Sequence, residues 1–362
     1  MSHGRGLPRH DGGPNEQGPS IMTRNVDVFP ARLALARCDR TLDAAADDAA
    51  PSLRSRLIVA LLRLMRVKNE LASAEGVQAQ VRRQAARPAS HEPVGLGRGI
   101  AVTSRTVAGW PVYHTAPSEN PAAGNYVMFL HGGGYYREIV AAHWRFVAFL
   151  TRQAQVRCVV PIYPLAPRGT AGEVVPATGE LVRALVDEAG PAAVTVAGNS
   201  VGAALALAAA QWLRDKGYRQ PDRLVLISPG LDFAVSRPEQ AALAARDPSQ
   251  DIPGITEAGR LYAGGLDVAH PYVSPLNGDM RGLAPMIVFS GTLDLFHPDC
   301  VDLAAGARAA GVAVELHLQR GQPHNYAGMP TPEGRQARAV IVRAVAAGKS
   351  RPDVTPAAAG SS

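Results

Sequence analysis

Val194-Thr-Val-Ala-Gly-Asn-Ser200-Val-Gly-Ala-Ala-Leu-Ala-Leu207 joins a short β-branched run to an alanine- and leucine-rich stretch through Gly-x-Ser-x-Gly. A serine at so sharp a strand-to-helix turn has its Oγ pushed into the open, and Gly198 and Gly202 remove the Cβ atoms that would crowd the bend. The helix beginning there points free backbone N–H groups at the same spot. The pentapeptide alone recurs by chance in many chains. The β flank before it and the helical flank after it single it out here.

Outward from this turn, apolar runs predict strands at 100–106, 110–115, 125–130, 157–162, 193–197, 223–228, 285–290 and 312–318, with helical stretches between them after about residue 140. Two hairpin-like strands followed by β-α-β alternation describe an α/β fold, a mostly parallel eight-stranded sheet wrapped by helices on both faces. In such sheets chemistry collects at the carboxyl ends of the strands. Residues 231–275 lack a clear strand and are expected to lie over the top of the sheet. Residues 31–90 read as helix, with Leu53, Leu57, Leu61, Leu64 and Met65 on one stripe and Arg54, Arg56, Arg63, Arg66 and Lys68 mostly elsewhere. That stripe is expected to pack on its own protein, the rival being a helix lying on an anionic membrane.

After the strand Tyr126-Val-Met-Phe-Leu130 comes His131-Gly132-Gly133-Gly134-Tyr135. Consecutive glycines let the backbone run close to a substrate with its amides exposed, so Gly132 and Gly133, with the amide of Val201, are the expected oxyanion-hole donors. A serine hydroxyl is a weak nucleophile until a base takes its proton, and the base needs an acid to fix its tautomer. Pro285-Met-Ile-Val-Phe-Ser290 ends in Gly291-Thr-Leu-Asp294, and Val312-Ala-Val-Glu-Leu-His-Leu318 leads to Pro323-His324, which puts both candidates at strand ends. The order Ser200, Asp294, His324 is that of the α/β-hydrolase fold. Asp299 is the alternative acid. His297 and Asp299 also suit a helix start, His317 reads as a sheet residue, and His143 and His270 as surface or structural positions. His131 is too near the glycine turn to serve as base and is expected to brace that loop. His131, Gly134, Gly198, Asn199 and Gly202 thus support the site.

At 362 residues, 46% hydrophobic and 19% charged, the chain can bury a full core. Its net charge of +6 comes from basic residues scattered among 31 acidic ones, so nucleic-acid binding is not expected. Three cysteines, far apart and without a CxxC or Cys/His pattern, give neither a disulfide framework nor a metal site. Residues 1–30 are expected to be disordered, 31–95 to form a helical cap region, 96–348 the catalytic domain and 349–362 a flexible tail. Lacking an apolar signal segment or a membrane span, the chain reads as cytoplasmic.

His131-Gly-Gly-Gly, Tyr163-Pro-Leu-Ala-Pro167, Gly198-Asn-Ser-Val-Gly202, Ile227-Ser-Pro-Gly-Leu-Asp232, Tyr272-Val-Ser-Pro275, Gly291-Thr-Leu-Asp294 and Pro323-His324 together resemble the hormone-sensitive lipase family of α/β-hydrolases, which includes many bacterial carboxylesterases. The resemblance covers roughly residues 98–345. It implies a serine carboxylesterase without cofactor or metal, an amino-terminal helical cap over the acyl pocket, and a monomer or homodimer; the aromatic content of 5% and the apolar cap point to aliphatic acyl chains of short to medium length. Three departures stand out. Asn199 replaces a usually acidic residue, which puts the loop's anchoring in question; Val201 and Ala203 replace smaller residues; and Tyr163-Pro-Leu-Ala-Pro-Arg168 lacks the family's arginine and final acid. The alternative functions are a non-catalytic small-molecule receptor on the same fold, which would have no need of His324, and a membrane-associated lipase.

Overall fold

Successive side chains on a pleated strand point to opposite faces, so a sheet buried on both sides needs apolar residues at every position. The central strands come close to that demand, with Thr195, Arg223 and Ser290 as buried polar or charged exceptions. The computed structural model describes residues 49–348 except residue 123. The segment 1–30, the first part of the expected cap up to residue 48, and the tail 349–362 lie outside the described residues.

The sheet is built from β1 (Ile100–Val107), β2 (Trp110–Pro117), β3 (Tyr126–Leu130), β4 (Arg157–Pro161), β5 (Val194–Asn199), β6 (Arg223–Ile227), β7 (Met286–Gly291) and β8 (Val314–Gln319). Their order is β1-β2-β4-β3-β5-β6-β7-β8. The pairs β1–β2 and β2–β4 are antiparallel and the remaining five are parallel. Met128, Leu130, Val196, Leu224, Leu226 and Val288 point into one core, shared with α4 (Ala171–Glu188), α5 (Val201–Asp215) and α8 (His297–Ala309). Val127, Phe129, Ala197, Val225 and Phe289 point the other way, against α3 (Ala141–Ala154) and α9 (Pro332–Ala346). All eight expected strands are present with ends shifted by at most two residues.

Buried along nearly its whole length, α5 packs its alanines and leucines between β5 and α4. The small side chains allow close approach. A Cβ on Gly202 would lie 2.1 Å from the carbonyl oxygen of Leu130, and one on Gly198 would lie 2.4 Å from the carbonyl of Gly202. The two glycines are therefore required by contact, and that contact brings β3 with its glycine loop against the first turn of α5.

Residues 231–275, read without defined elements, contain α6 (Pro238–Arg246) and α7 (Ile252–Ala263). Pro253 in the first turn of α7 needs no helical N–H partner, and Asp251 caps the turn by accepting from Ile252 N–H at 2.9 Å. The amino-terminal helix is broken into α1 (Leu53–Leu64) and α2 (Ala74–Ala85). Arg66, in the left-handed region at φ 52°, turns the chain just past the end of α1, and Ser73 caps the second helix by accepting from Gly76 N–H at 3.1 Å. The stripe expected to pack inward does not do so among the described residues: Leu53, Leu57, Leu61, Leu64 and Met65 are between 51% and 80% exposed. Helix α1 is instead anchored through the opposite side, where Ser55 and Val59 are buried and Glu333 accepts from the Ser52 and Ser55 hydroxyls at 2.9 and 2.8 Å. A hydrophobic stripe identifies a helix's apolar face but not what the fold sets beside it.

Candidate active site

Ser200 sits at φ 54° and ψ −125°, a conformation that costs a non-glycine residue on the order of 1–3 kcal/mol and persists only where the surroundings impose it. Those surroundings are the hydrogen bond from Ser200 N–H to the Ile227 carbonyl at 2.8 Å and the start of α5, whose Ala203 N–H donates to the Ser200 carbonyl at 3.1 Å. The hydroxyl that results from this turn lies 2.9 Å from His324 Nε2. On the other side of the ring, His324 Nδ1 lies 2.9 Å from Asp294 Oδ2. With Asp294 accepting at Nδ1, the ring's proton belongs on Nδ1 and its lone pair on Nε2 faces the serine. Asp294 is fully buried, and its second oxygen accepts from Phe296 N–H at 3.0 Å. Three residues from the ends of β5, β7 and β8 are thereby brought into one chain of hydrogen bonds.

Burial opposes a charge on His324, but the carboxylate of Asp294, through its charge and its hydrogen bond, and the more distant Asp247 outweigh that opposition and hold the imidazole above its ordinary value of 6.5. Asp247 was not singled out from the sequence. It is buried, accepts from Leu295 N–H at 2.9 Å through Oδ2 and from Ser249 and Gln250 N–H at 2.8 and 3.0 Å through Oδ1, and so fixes the residue next to Asp294. Burial first, then the charge of Asp294, push its carboxyl above the usual range. The only local hint was Asp247-Pro-Ser249, a turn-forming triplet.

The glycine loop differs from expectation in one donor. Gly132 N–H donates to Asn199 Oδ1 at 3.0 Å, so this amide ties the loop to the nucleophile turn rather than facing a reacting carbonyl. Asn199 thus answers the question its missing charge raised: a neutral amide still supplies the acceptor that anchors the loop. Among the described residues the N–H groups of Gly133, Gly134 and Val201 donate to nothing. His131 holds the loop from within, with Nδ1 2.8 Å from the Gly132 carbonyl oxygen. Its ring stacks on Tyr163 at 4.4 Å, and the Tyr163 hydroxyl donates to the His131 carbonyl at 2.6 Å. Burial drives the His131 imidazole down to about 4, which keeps it neutral.

The competing residues go elsewhere. Asp299 is buried against Arg237 and Gln240, 3.6 and 3.3 Å away, and burial pushes it up to about 8; it makes no contact with His324. His297 meets the Ser290 hydroxyl at 3.1 Å. His317 lies in β8 beside Glu315 and stacks on Phe289, and His270 accepts from Tyr272 N–H. Over the glycine loop, the short turn Val67–Glu70 and α2 dock through Glu70, which accepts from the Tyr136 hydroxyl at 2.7 Å and from Arg137 Nε at 2.9 Å. Among the described residues there is no group of three or more His, Cys, Asp or Glu side chains able to hold a metal ion, and no helix long and apolar enough to cross a membrane.

A strained serine on a strand-to-helix turn, hydrogen-bonded in series to a histidine and an aspartate on the loops after two later strands, is the arrangement of an α/β-hydrolase. The family described as alpha/beta hydrolase fold matches residues 127–328, and the chain belongs to it. The chain is 34% identical over 232 residues to a triacylglycerol lipase of Mycobacterium tuberculosis, covering 64% of this chain but 48% of that protein. It is 31% identical over 217 residues to an acetyl-hydrolase of Streptomyces hygroscopicus, covering 59% of this chain and 73% of that one. The crystal structure of an esterase from the bacterial hormone-sensitive lipase family superposes with a TM-score of 0.65 at 27% identity, over 75% of this chain and 97% of that one.

Proposed function

We propose that this chain is a carboxylic ester hydrolase that works through a covalent acyl-enzyme on Ser200. The observation that carries the reading is the unbroken line Ser200 Oγ, His324 Nε2, His324 Nδ1, Asp294 Oδ2, with both links at 2.9 Å. A receptor has no use for a base poised on a strained serine. In this reading His324 takes the serine's proton as Oγ attacks the ester carbonyl, then delivers it to the departing alcohol oxygen. Asp294 holds the tautomer and supports the imidazolium. The carbonyl oxygen, now an anion, is met by the Gly133 and Val201 amides, with Gly134 as a further donor in place of Gly132. Water, activated by the same imidazole, releases the acid.

One relative named an acetyl-hydrolase supports short acyl groups, while the one named a triacylglycerol lipase makes chain length the property to measure. A series of p-nitrophenyl esters from acetate to laurate is expected to give kcat/KM highest at two to six carbons, roughly, and falling by at least tenfold, about 1.4 kcal/mol, at twelve. Equal turnover of laurate and acetate would contradict the chain-length assignment, and no turnover of any ester would contradict the reaction.

Because only neutral His324 can act as base, kcat/KM is expected to fall as pH drops, with its midpoint above 6.5 since the imidazole is held above that value. The free enzyme's pKa governs this limb. A midpoint below 6.5 would mean that another group controls it.

A further inference from the structure

On the α3 side of the sheet, behind the nucleophile turn, lies a half-open cavity of about 560 Å³. None of Ser200, Asp294, His324 or the free glycine amides lines it, so it is distinct from the ester site. Its volume falls within the range of small-molecule pockets. Phe146 and Phe149 of α3 form one wall, Phe129 and Ile227 at the tops of β3 and β6 form the floor, and Met329 faces them. Such a surface gains by covering an apolar chain, at about 25 cal/mol per Å² buried.

The charged groups that line it share one sign. Among the described residues, Arg145 and Arg338 are the only charged ones lining the cavity, and no carboxylate lines it. Arg338 uses Nη1 to donate to the Ala327 and Met329 carbonyls, which leaves the rest of its guanidinium fork for another acceptor. His143 Nδ1 accepts from Val140 N–H, which assigns the proton to Nε2 and makes that atom a donor. Asn199 gives its oxygen to Gly132 and retains its Nδ2 donor. Asn325 also lines the cavity, with its side-chain oxygen buried and without a partner among the described residues. Two guanidiniums, an imidazole N–H and the Asn199 amide N–H beside an aromatic wall suit a compact anion joined to an apolar tail. Guanidinium forks match carboxylate geometry in particular.

We propose that this cavity is a second binding site, for an amphiphilic monocarboxylate with an aliphatic chain of medium length. The site stands on its own lining and does not depend on the ester-hydrolase reading. Binding can be measured without turnover, so either can fail while the other holds.

The test is calorimetric titration of the full chain with sodium octanoate, and with n-octanol as the neutral chain of equal length. Octanoate is expected to bind saturably, and octanol at least tenfold more weakly. Ala142→Trp, an exposed position at the cavity mouth on α3, is expected to remove the site, and Arg145→Glu, also exposed, to weaken octanoate at least tenfold. Neither touches the triad, so ester hydrolysis should persist in both. Absence of saturable binding up to about 10 mM, a range that still detects affinities weaker than 1 mM, would overturn the proposal. So would equal affinity of octanoate and octanol, or undiminished octanoate binding to Ala142→Trp, which would put the acid in the ester cleft. Should Ala142→Trp fail to fold, Arg145→Glu and the octanol comparison still decide.

Discussion

Ser200→Ala is expected to lower kcat toward p-nitrophenyl butyrate by on the order of a million-fold, because removing the nucleophile removes the whole acyl-enzyme route and leaves only the binding and oxyanion contributions. The size of the effect follows from geometry. Ser200 Oγ is the only hydroxyl held against His324 Nε2, at 2.9 Å, and no second serine or threonine among the described residues shares that nitrogen. The fold should survive, since the hydroxyl bonds only to His324 and the turn is imposed by Ser200 N–H on Ile227 and by the start of α5. The thermal midpoint should therefore stay within a few degrees of the parent while activity vanishes. Retention of more than about one part in a hundred of the parent kcat would contradict the assignment of the nucleophile.

Asp294→Asn is expected to cost about 10⁴-fold in kcat with the shape of the site preserved. An asparagine can keep the bond from Phe296 N–H, but toward His324 it can present an NH2 group where the carboxylate presented an acceptor. The imidazole then accepts at Nδ1, carries its proton on Nε2, and meets the serine with a donor instead of a lone pair. Loss of the carboxylate's charge should also move the acid limb of kcat/KM to lower pH, since Asp294 is the chief group holding His324 up against burial. Steady-state kinetics across pH, with a melting curve as control, would check both. A loss smaller than tenfold would mean that Asp294 does not set the tautomer. Asp299 would not be its replacement, because it is engaged with Arg237 and Gln240.

The sequence was readable where physics acts locally. Runs such as Tyr126–Leu130 and Met286–Phe289 are largely buried on both faces of a parallel sheet, so they are apolar and stand out from the helices between them. The candidate nucleophile, acid and base could be chosen because each lies just past the carboxyl end of a strand, and the structure sets all three within hydrogen-bond distance of one another in series. What escaped was tertiary. Nothing near Asp247 announces that a turn 47 residues before Asp294 will clamp the neighbouring Leu295 amide. Gly132 resembles Gly133 in sequence, and only the approach of Asn199 separates the amide that anchors the loop from those that remain open. Helices α6 and α7 were obscured by prolines and glycines that, placed at helix starts and against close neighbours, are compatible with helix after all. The exposed α1 stripe reverses the expectation drawn from its periodicity, because amphipathicity says nothing about which surface will be supplied.

The central claim is that Ser200 is an activated nucleophile, and a serine-directed fluorophosphonate tests it without any assumption about the substrate. Intact-mass and peptide-mapping spectrometry should find one adduct per chain, located on the peptide bearing Ser200, with labelling slowed by orders of magnitude in His324→Ala. An unlabelled protein, or an adduct on any other serine while Ser200 stays unmodified, would contradict the account.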